Sequence, residues 1–465
     1  MRRAVAVAAV VAAVWLLAAA VAVAQDRARW DTRLLARVPT PGYPALAYVH
    51  PNGRIYEGTY VNPRGDSQRS RVFEYTTRGV LLRSWTVPGQ DLSAEHGVQV
   101  ATSDSRGRLV LLDRSPSRAL LLNRRTGNFG QYATFADLAP CPPLGASQNC
   151  SPTEQDLKPV PNYAAWGPDG SLYVTDFQQG VIWRVPRGGG QAQIWLADGR
   201  LDGGQFGTTG IALAADRRTL VIAQGSSGGL PIGPINPTTG KLYQVEIRPD
   251  GSPGELRQLW ESGPADLPDG FAIARSGNFY VPLAGDANQI AVVAPDGREL
   301  ERFPRDEGSG ENSSEAPFDT PSSARFSGTH LIVPNQSFAT GDREHQTLLD
   351  VETDEQGLRE LIPGLDRTRP ALRRVSVARR RARGHRVVRI RFRLSEAALV
   401  TFRFDRRRRG GFATERTFSR RRRAGARSLT ARRPLPPGRY RLILFARDAT
   451  GNRSRRVTRR FRVPR

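Results

Sequence analysis

A hairpin signature recurs along the first three quarters of this chain and restricts its fold more tightly than any other sequence feature. The clearest copy runs Asn162-Tyr163-Ala-Ala-Trp-Gly-Pro-Asp-Gly170-Ser-Leu-Tyr-Val-Thr-Asp176 and continues into Gly180-Val-Ile-Trp-Arg-Val185. It reads as strand, Asp-Gly turn, strand, short loop, strand. Asp269 to Val281 repeats it, with Gln289 to Val293 as the next strand, and Thr209 to Asp216 leads to Thr219–Ile222 and Lys241–Ile247. Ala45 to Tyr56 opens the series, and Gly97 to Asp113 and Ser322 to Val333 are weaker second and sixth members. The interval is roughly 50 to 60 residues, close to that of propeller blades. No amphipathic helix of useful length competes with these strands. Each unit is too short to bury both faces of its sheet, and radial stacking of six such sheets solves that problem. The expectation is an all-β chain: a six-bladed β-propeller followed by a small β-sandwich.

Charge marks the boundary between the two. From Ala371 onward there are 33 arginines against Glu396, Asp405, Glu415 and Asp448, a net +29 within a whole-chain total of +25. The remainder is therefore slightly acidic, at −4. The domains are expected at 1–24 (signal peptide), 25–365 (propeller) and 366–465 (arginine-rich sandwich). The leader rests on Arg2 and Arg3, the apolar run Ala4 to Ala24 and the small-x-small end Ala22-Val23-Ala24. An Ala/Val-rich run of this kind fits a cleaved leader better than an uncleaved anchor. Secretion or attachment to the cell envelope follows. Cys141 and Cys150, in a turn-rich stretch, are expected to close a disulfide in that oxidising compartment.

The Asn-Tyr-x-x-x-x-Pro-Asp-Gly-x-Leu-Tyr-Val-Thr-Asp segment, Pro268-Asp269-Gly270-Phe-Ala and Gly240-Lys-Leu-Tyr resemble the senescence-marker-protein, gluconolactonase and luciferin-regenerating-enzyme family, the regucalcin-like propellers. The resemblance covers roughly Tyr43 to Val333. It implies a six-bladed propeller, and for the enzymes lactone hydrolysis assisted by one divalent cation (Ca, Zn or Mg) in the central funnel. The family's ligand pattern carries over at Asp269, with Asn162 matching the position that touches metal-bound water or substrate. Ala45 stands where a ligand Glu is expected and Thr209 where an Asn is expected, which weakens the cation site. Glu95 is a candidate replacement carboxylate.

Counting within the repeat gives the same positions independently. Ala45, Asn162, Thr209 and Asp269 each stand eight residues before the turn position of their own blade. With His96 or Gln99 from the second blade and Ser322 from the sixth, they form the expected ring at the channel mouth. Asp269, Asn162 and His96 are the candidate catalytic residues. Asn162, Thr209 and Ser322 are the candidates for substrate binding, and Asp269, Asn162 and Thr209 for metal. The ligand is read as a small polar molecule or lactone, and the protein as a monomer. The alternative is a non-catalytic propeller held at the envelope through its basic module.

Two further features are read as structural. Gly225-Ser226-Ser227-Gly228-Gly229 satisfies a nucleophile-elbow pattern, but without the required strand-to-helix turn it reads as a loop. The stretch Asp306 to Asp319 lacks the ligand order of a Ca²⁺ loop and reads as a flexible rim loop.

The basic module alternates Val388, Ile390, Phe392 and Leu394 with arginines, the pattern of a half-buried strand. It loosely resembles immunoglobulin-like or fibronectin-type modules of exported proteins. Val400–Phe404, Arg439–Phe445 and Val457–Val463 are further strands, and Arg379–Arg381, Arg406–Arg409 and Arg420–Arg423 are expected between strands. The two readings of this charge are attachment to anionic envelope polymers and genomic arginine bias on a solvated surface. Sequence-specific nucleic-acid binding is not expected, because neither a recognition helix nor a stacking platform can be read.

Overall fold

The structure is a computed structural model describing residues 27–142, 149–204, 206–226, 239–366, 368–382, 385–431, 435–448 and 452–464. The leader segment lies outside the described residues, as does most of the Gly/Ser stretch from residue 227. Among the described residues no helix is long and apolar enough to cross a membrane.

Six sheets account for the repeats, antiparallel except where Gly190–Gln191 joins the second in parallel. The innermost strands are Pro44–His50, Val98–Ser103, Pro161–Trp166, Thr208–Leu213, Ala272–Ile273 and Arg325–Ser327, each pairing outward with the next strand of its own sheet. The third blade follows the sequence reading closely, with Leu172–Asp176 and Val181–Val185 as its second and third strands. Apolar residues of neighbouring sheets form shared cores. Val110, Leu112, Tyr163, Leu172, Trp183 and Leu220 belong to one cluster that runs through the second, third and fourth blades.

The ring closes through a strand that repeat counting did not assign to the sixth blade. Thr32–Arg37 is the outermost strand of that sheet, antiparallel to Thr347–Glu352. Chain start and propeller end are thus hydrogen-bonded together. Arg27 reinforces the closure, donating to the Asp350 carboxylate at 2.7 Å and the Asp350 carbonyl at 2.8 Å.

Two expectations about loops need correction. The 306–319 loop is anchored: Asn312, Ala316 and Phe318 are buried, and Phe318 lies edge-on to Phe303. The arginine runs are not loop features either. They continue strands Leu372–Ala382, Ala398–Arg408 and Gly411–Arg422 to their ends, leaving only Arg409 and Arg423 outside. Outward positions of a strand tolerate charge as readily as a loop does, so a run of one residue type does not mark a strand's end.

The module has two sheets. One is three-stranded, with His385–Leu394 between Leu372–Ala382 and Gly425–Ala431. The other is four-stranded, in the order Gly411–Arg422, Ala398–Arg408, Gly438–Arg447, Val457–Val463. Their inner faces share one core, including Ile390, Phe392, Phe402, Phe404, Leu442 and Leu444. Cys141 and Cys150 form the expected disulfide, with Cα atoms 4.9 Å apart. Such a bond fits an oxidising compartment.

Candidate active site at the channel mouth

The inner strands begin at one end of the central channel, and there most of the expected ring residues bridge neighbouring blades. Gln99 donates from its side-chain amide to the Asn162 side-chain oxygen at 3.0 Å, linking the second blade to the third. The Thr209 hydroxyl donates to the Pro268 carbonyl at 3.0 Å, linking the fourth to the fifth. The Ser322 hydroxyl donates to the Ala45 carbonyl at 3.0 Å, linking the sixth to the first. Asn162, Thr209 and Ser322 are all buried. Their polar atoms already hold the ring together.

Tyr163, one residue beyond the counted position, stoppers the channel. It is fully buried, and its hydroxyl reaches from the third blade to the sixth, donating to the Ser322 carbonyl at 2.8 Å. Gly270 makes room for it, since a Cβ there would lie 2.3 Å from the tyrosine ring. That close approach is what the Asp-Gly-Phe sequence of the fifth blade accommodates.

Asp269 sits on this stopper. Burial raises its carboxyl pKa to about 7, against the opposing effects of the Tyr163 hydroxyl and the Gly270 N–H. Its Oδ1 is shielded and has no hydrogen-bond partner, although the residue as a whole keeps some exposed surface. Tyr60 lies within its electrostatic reach. Burial raises the Tyr60 pKa, Arg114 lowers it and Asp269 raises it further. Arg114 holds Tyr60 at 3.4 Å and forms an ion pair with Glu95.

His96 serves elsewhere. Its ring nitrogens meet the Ala94 carbonyl at 3.0 Å and the Gln68 carbonyl at 2.7 Å, with Asp66 at 3.3 Å. Burial works against its protonation, but these acceptors outweigh it and raise its pKa. Glu95 compensates Arg114 with a largely exposed side chain. The sequence reading passed over Tyr163, Tyr60 and Arg114. Only Tyr163 carried a signal, as the neighbour of Asn162 in the repeat.

The residues present are a poor match for the cation that the resemblance implies. A hard divalent ion takes several oxygens, preferably charged. Here Ala45 offers no side-chain donor, and the Asn162 oxygen and Thr209 hydroxyl are engaged across blade boundaries. Asp269 is the one carboxylate among these positions. A separate trio, Asp366, Glu396 and Asp448, brings its carboxylate oxygens within 4.8 Å of one another beside the module.

A cavity of about 720 Å³ lies at the opposite end, where the inner strands finish. Tyr48, Trp166, Phe271, Arg275, Arg325 and Glu360 are among its lining residues. The connector after the sixth blade crosses it, with the Leu358 N–H donating to the Ile273 carbonyl at 2.8 Å. Glu360 accepts from the Thr102 hydroxyl at 2.5 Å. Volume and the perturbed carboxyl are therefore at different ends.

No protein-family model and no curated protein sequence matches the chain. Among solved structures it is similar to virginiamycin B lyase from Staphylococcus aureus, at 14% identity over 69% of this chain and 98% of that one, with a TM-score of 0.44. It is also similar to a calcium-binding regucalcin from Agrobacterium tumefaciens, at 15% identity over 71% and 97%, TM-score 0.48. A luciferin-regenerating enzyme aligns at 13% identity over 70% and 97%, TM-score 0.44. These likenesses concern the fold alone.

Proposed function

We propose that the protein is an exported propeller that binds a small polar ligand at the channel mouth and hydrolyses a lactone or ester there, with Asp269 as general base. The buried carboxyl with an unpartnered oxygen and a pKa near 7 carries this reading. A base works best when its pKa is close to the working pH, and burial is the usual means of bringing a carboxylate there. The proton taken from water would rest on Asp269 while hydroxide adds to the carbonyl carbon, and would pass from Asp269 to the leaving alkoxide oxygen as the acyl C–O bond breaks. The Tyr60 hydroxyl, within electrostatic reach of Asp269, would supply a donor, and Arg114 holds Tyr60 in place. No step is assigned to a cation, because the donor set does not match one. The cavity of about 720 Å³ at the other end of the channel favours a second reading, a ligand-binding propeller without catalysis.

Asp269→Asn separates the two readings. On a panel of γ- and δ-lactones and aryl esters, the variant is expected to lose roughly 100-fold or more of kcat/KM, the range of general-base contributions. The wild-type rate is expected to rise with pH and level off above about 7. Equal rates for wild type and variant across that panel would remove the catalytic assignment and leave the binding reading.

A further inference from the structure

The three-stranded sheet of the module presents an arginine face that the channel-mouth reading does not use. In its central strand, Val388, Ile390, Phe392 and Leu394 turn into the core, while on the other face Arg391 and Arg393 are exposed and Arg389 is half-buried. The register sets Arg391 between Ser376 and Ser428, Arg389 between Ala378 and Thr430, and Arg393 between Arg373 and Ala426. A bulge after Arg373, with Arg374 in the left-handed region at φ +50°, redirects the edge strand. Arg374, Arg389, Arg391, Arg393 and Arg427 line a depression of about 420 Å³ together with Ser376 and Ser428.

No carboxylate among the described residues offsets Arg389, Arg391 or Arg393. The four acidic residues of the module are placed elsewhere. Asp405 pairs with Arg403 and Arg441, Glu415 pairs with Arg408, and Glu396 and Asp448 gather near Asp366. The Arg389 Nε is shielded from solvent and has no acceptor. Like charges along one face repel, so the row persists against its own electrostatics.

We propose that this face docks a linear polyol-phosphate polymer of the cell envelope, with successive phosphates seated on Arg389, Arg391 and Arg393. Alternate residues of a strand are about 6.6 Å apart, so the guanidinium groups form an evenly spaced row. A phosphodiester chain with a short polyol spacer can match that interval, and each phosphate can take a forked arginine contact. Ser376 and Ser428 supply hydroxyls at the middle of the row. Phe392 borders the depression but is only 3% exposed, and no other aromatic residue lines it, so the face offers no open ring on which bases could stack. Single-stranded nucleic acid would therefore forgo the stacking that ordinarily holds it. The proposal is independent of Asp269.

The test uses the full mature chain and synthetic poly(glycerol phosphate), followed by calorimetry at several salt concentrations. Replacing Arg389, Arg391 and Arg393 together by Gln is expected to weaken binding at least roughly 30-fold and to lower the slope of log K against log salt by about 2 to 3. Replacing Arg420, Arg421 and Arg422 by Gln on the other sheet removes equal charge and is expected to cost less than about threefold. The corresponding Lys triple at 389, 391 and 393 keeps the charge but loses the fork, and is expected to keep the wild-type salt slope while binding between wild type and the Gln triple. Equal losses for the two Gln triples would overturn the proposal as unspecific charge. A Lys triple as weak as the Gln triple would overturn it as a defect of the fold. Tighter binding of an oligothymidylate of matched charge would overturn the choice of polymer.

Discussion

Asp269 and Glu57 are both carboxylic acids held away from water, and each ties stability to pH. Glu57 is fully buried on a face shared with Ile55, between the first and sixth blades, and neither of its oxygens has a partner. Burial raises its pKa well above the ordinary value, as it raises that of Asp269 from 3.8 to about 7. A carboxyl whose folded-state pKa is raised holds its proton in the native protein after the unfolded chain has released it. Stability is then greatest below the unfolded pKa and falls as pH rises toward the folded one. For Asp269 the window is about pH 4 to 7, and the loss is on the order of 2–4 kcal/mol. Asp269→Asn is therefore expected to melt increasingly above wild type between pH 4 and 7, with a constant difference above that. Glu57→Gln is expected to stabilise more at pH 8 than at pH 5. Thermal melts at four pH values check both, and a pH-independent difference for either variant would refute its assignment.

At the scale of the element, the strand Thr32–Arg37 has the largest consequence. It covers the edge of the sixth blade, which would otherwise expose the unpaired backbone of Thr347–Glu352. Arg27 adds partly buried contacts to Asp31 and Asp350. A chain beginning at Val38 is expected to lose on the order of 10 °C in Tm, because several kcal/mol of pairing and packing go with the strand. It is also expected to self-associate through the uncovered edge. Calorimetry and light scattering would show both, and an unchanged melt would mean that the ring does not depend on this closure. The arginine runs carry an opposite lesson at this scale. Their sequence resembles loop composition, yet pairing of Arg406 with Tyr440 and Arg421 with Leu399 places them in ladders.

At the scale of the molecule, propeller and module are proposed to be separate folding units with a boundary near Leu365. The module's core cluster contains only module residues. The connector belongs to the propeller instead: Gly357 bridges Ala274, Ile362 is part of the large propeller cluster, and Leu365 packs against it. A chain ending at Leu365 is expected to keep a single cooperative transition close to that of the full protein. Loss of that transition would show that the module is needed for the propeller to fold.

By itself the sequence determined the repeat, its count and the strand order within each blade, because alternation and Asp-Gly turns act over a few residues. The alternation from Val388 to Leu394 likewise set which arginines face outward. Equal spacing within each blade identifies equivalent positions, and Asp269 is the acidic one among them. What those positions do was decided by the tertiary structure. Whether a side chain at the channel mouth is free or engaged depends on the blade beside it, often far away in the chain. Thus Asn162 and Thr209, read as ligands, each carry a hydrogen bond between blades that the repeat does not encode. Tyr163 reached 159 residues along the chain to Ser322 and closed the channel beneath Asp269. The same long-range packing joined Thr32–Arg37 to the sixth blade and raised the pKa of Asp269, because closure and desolvation are made by contacts that no local pattern records.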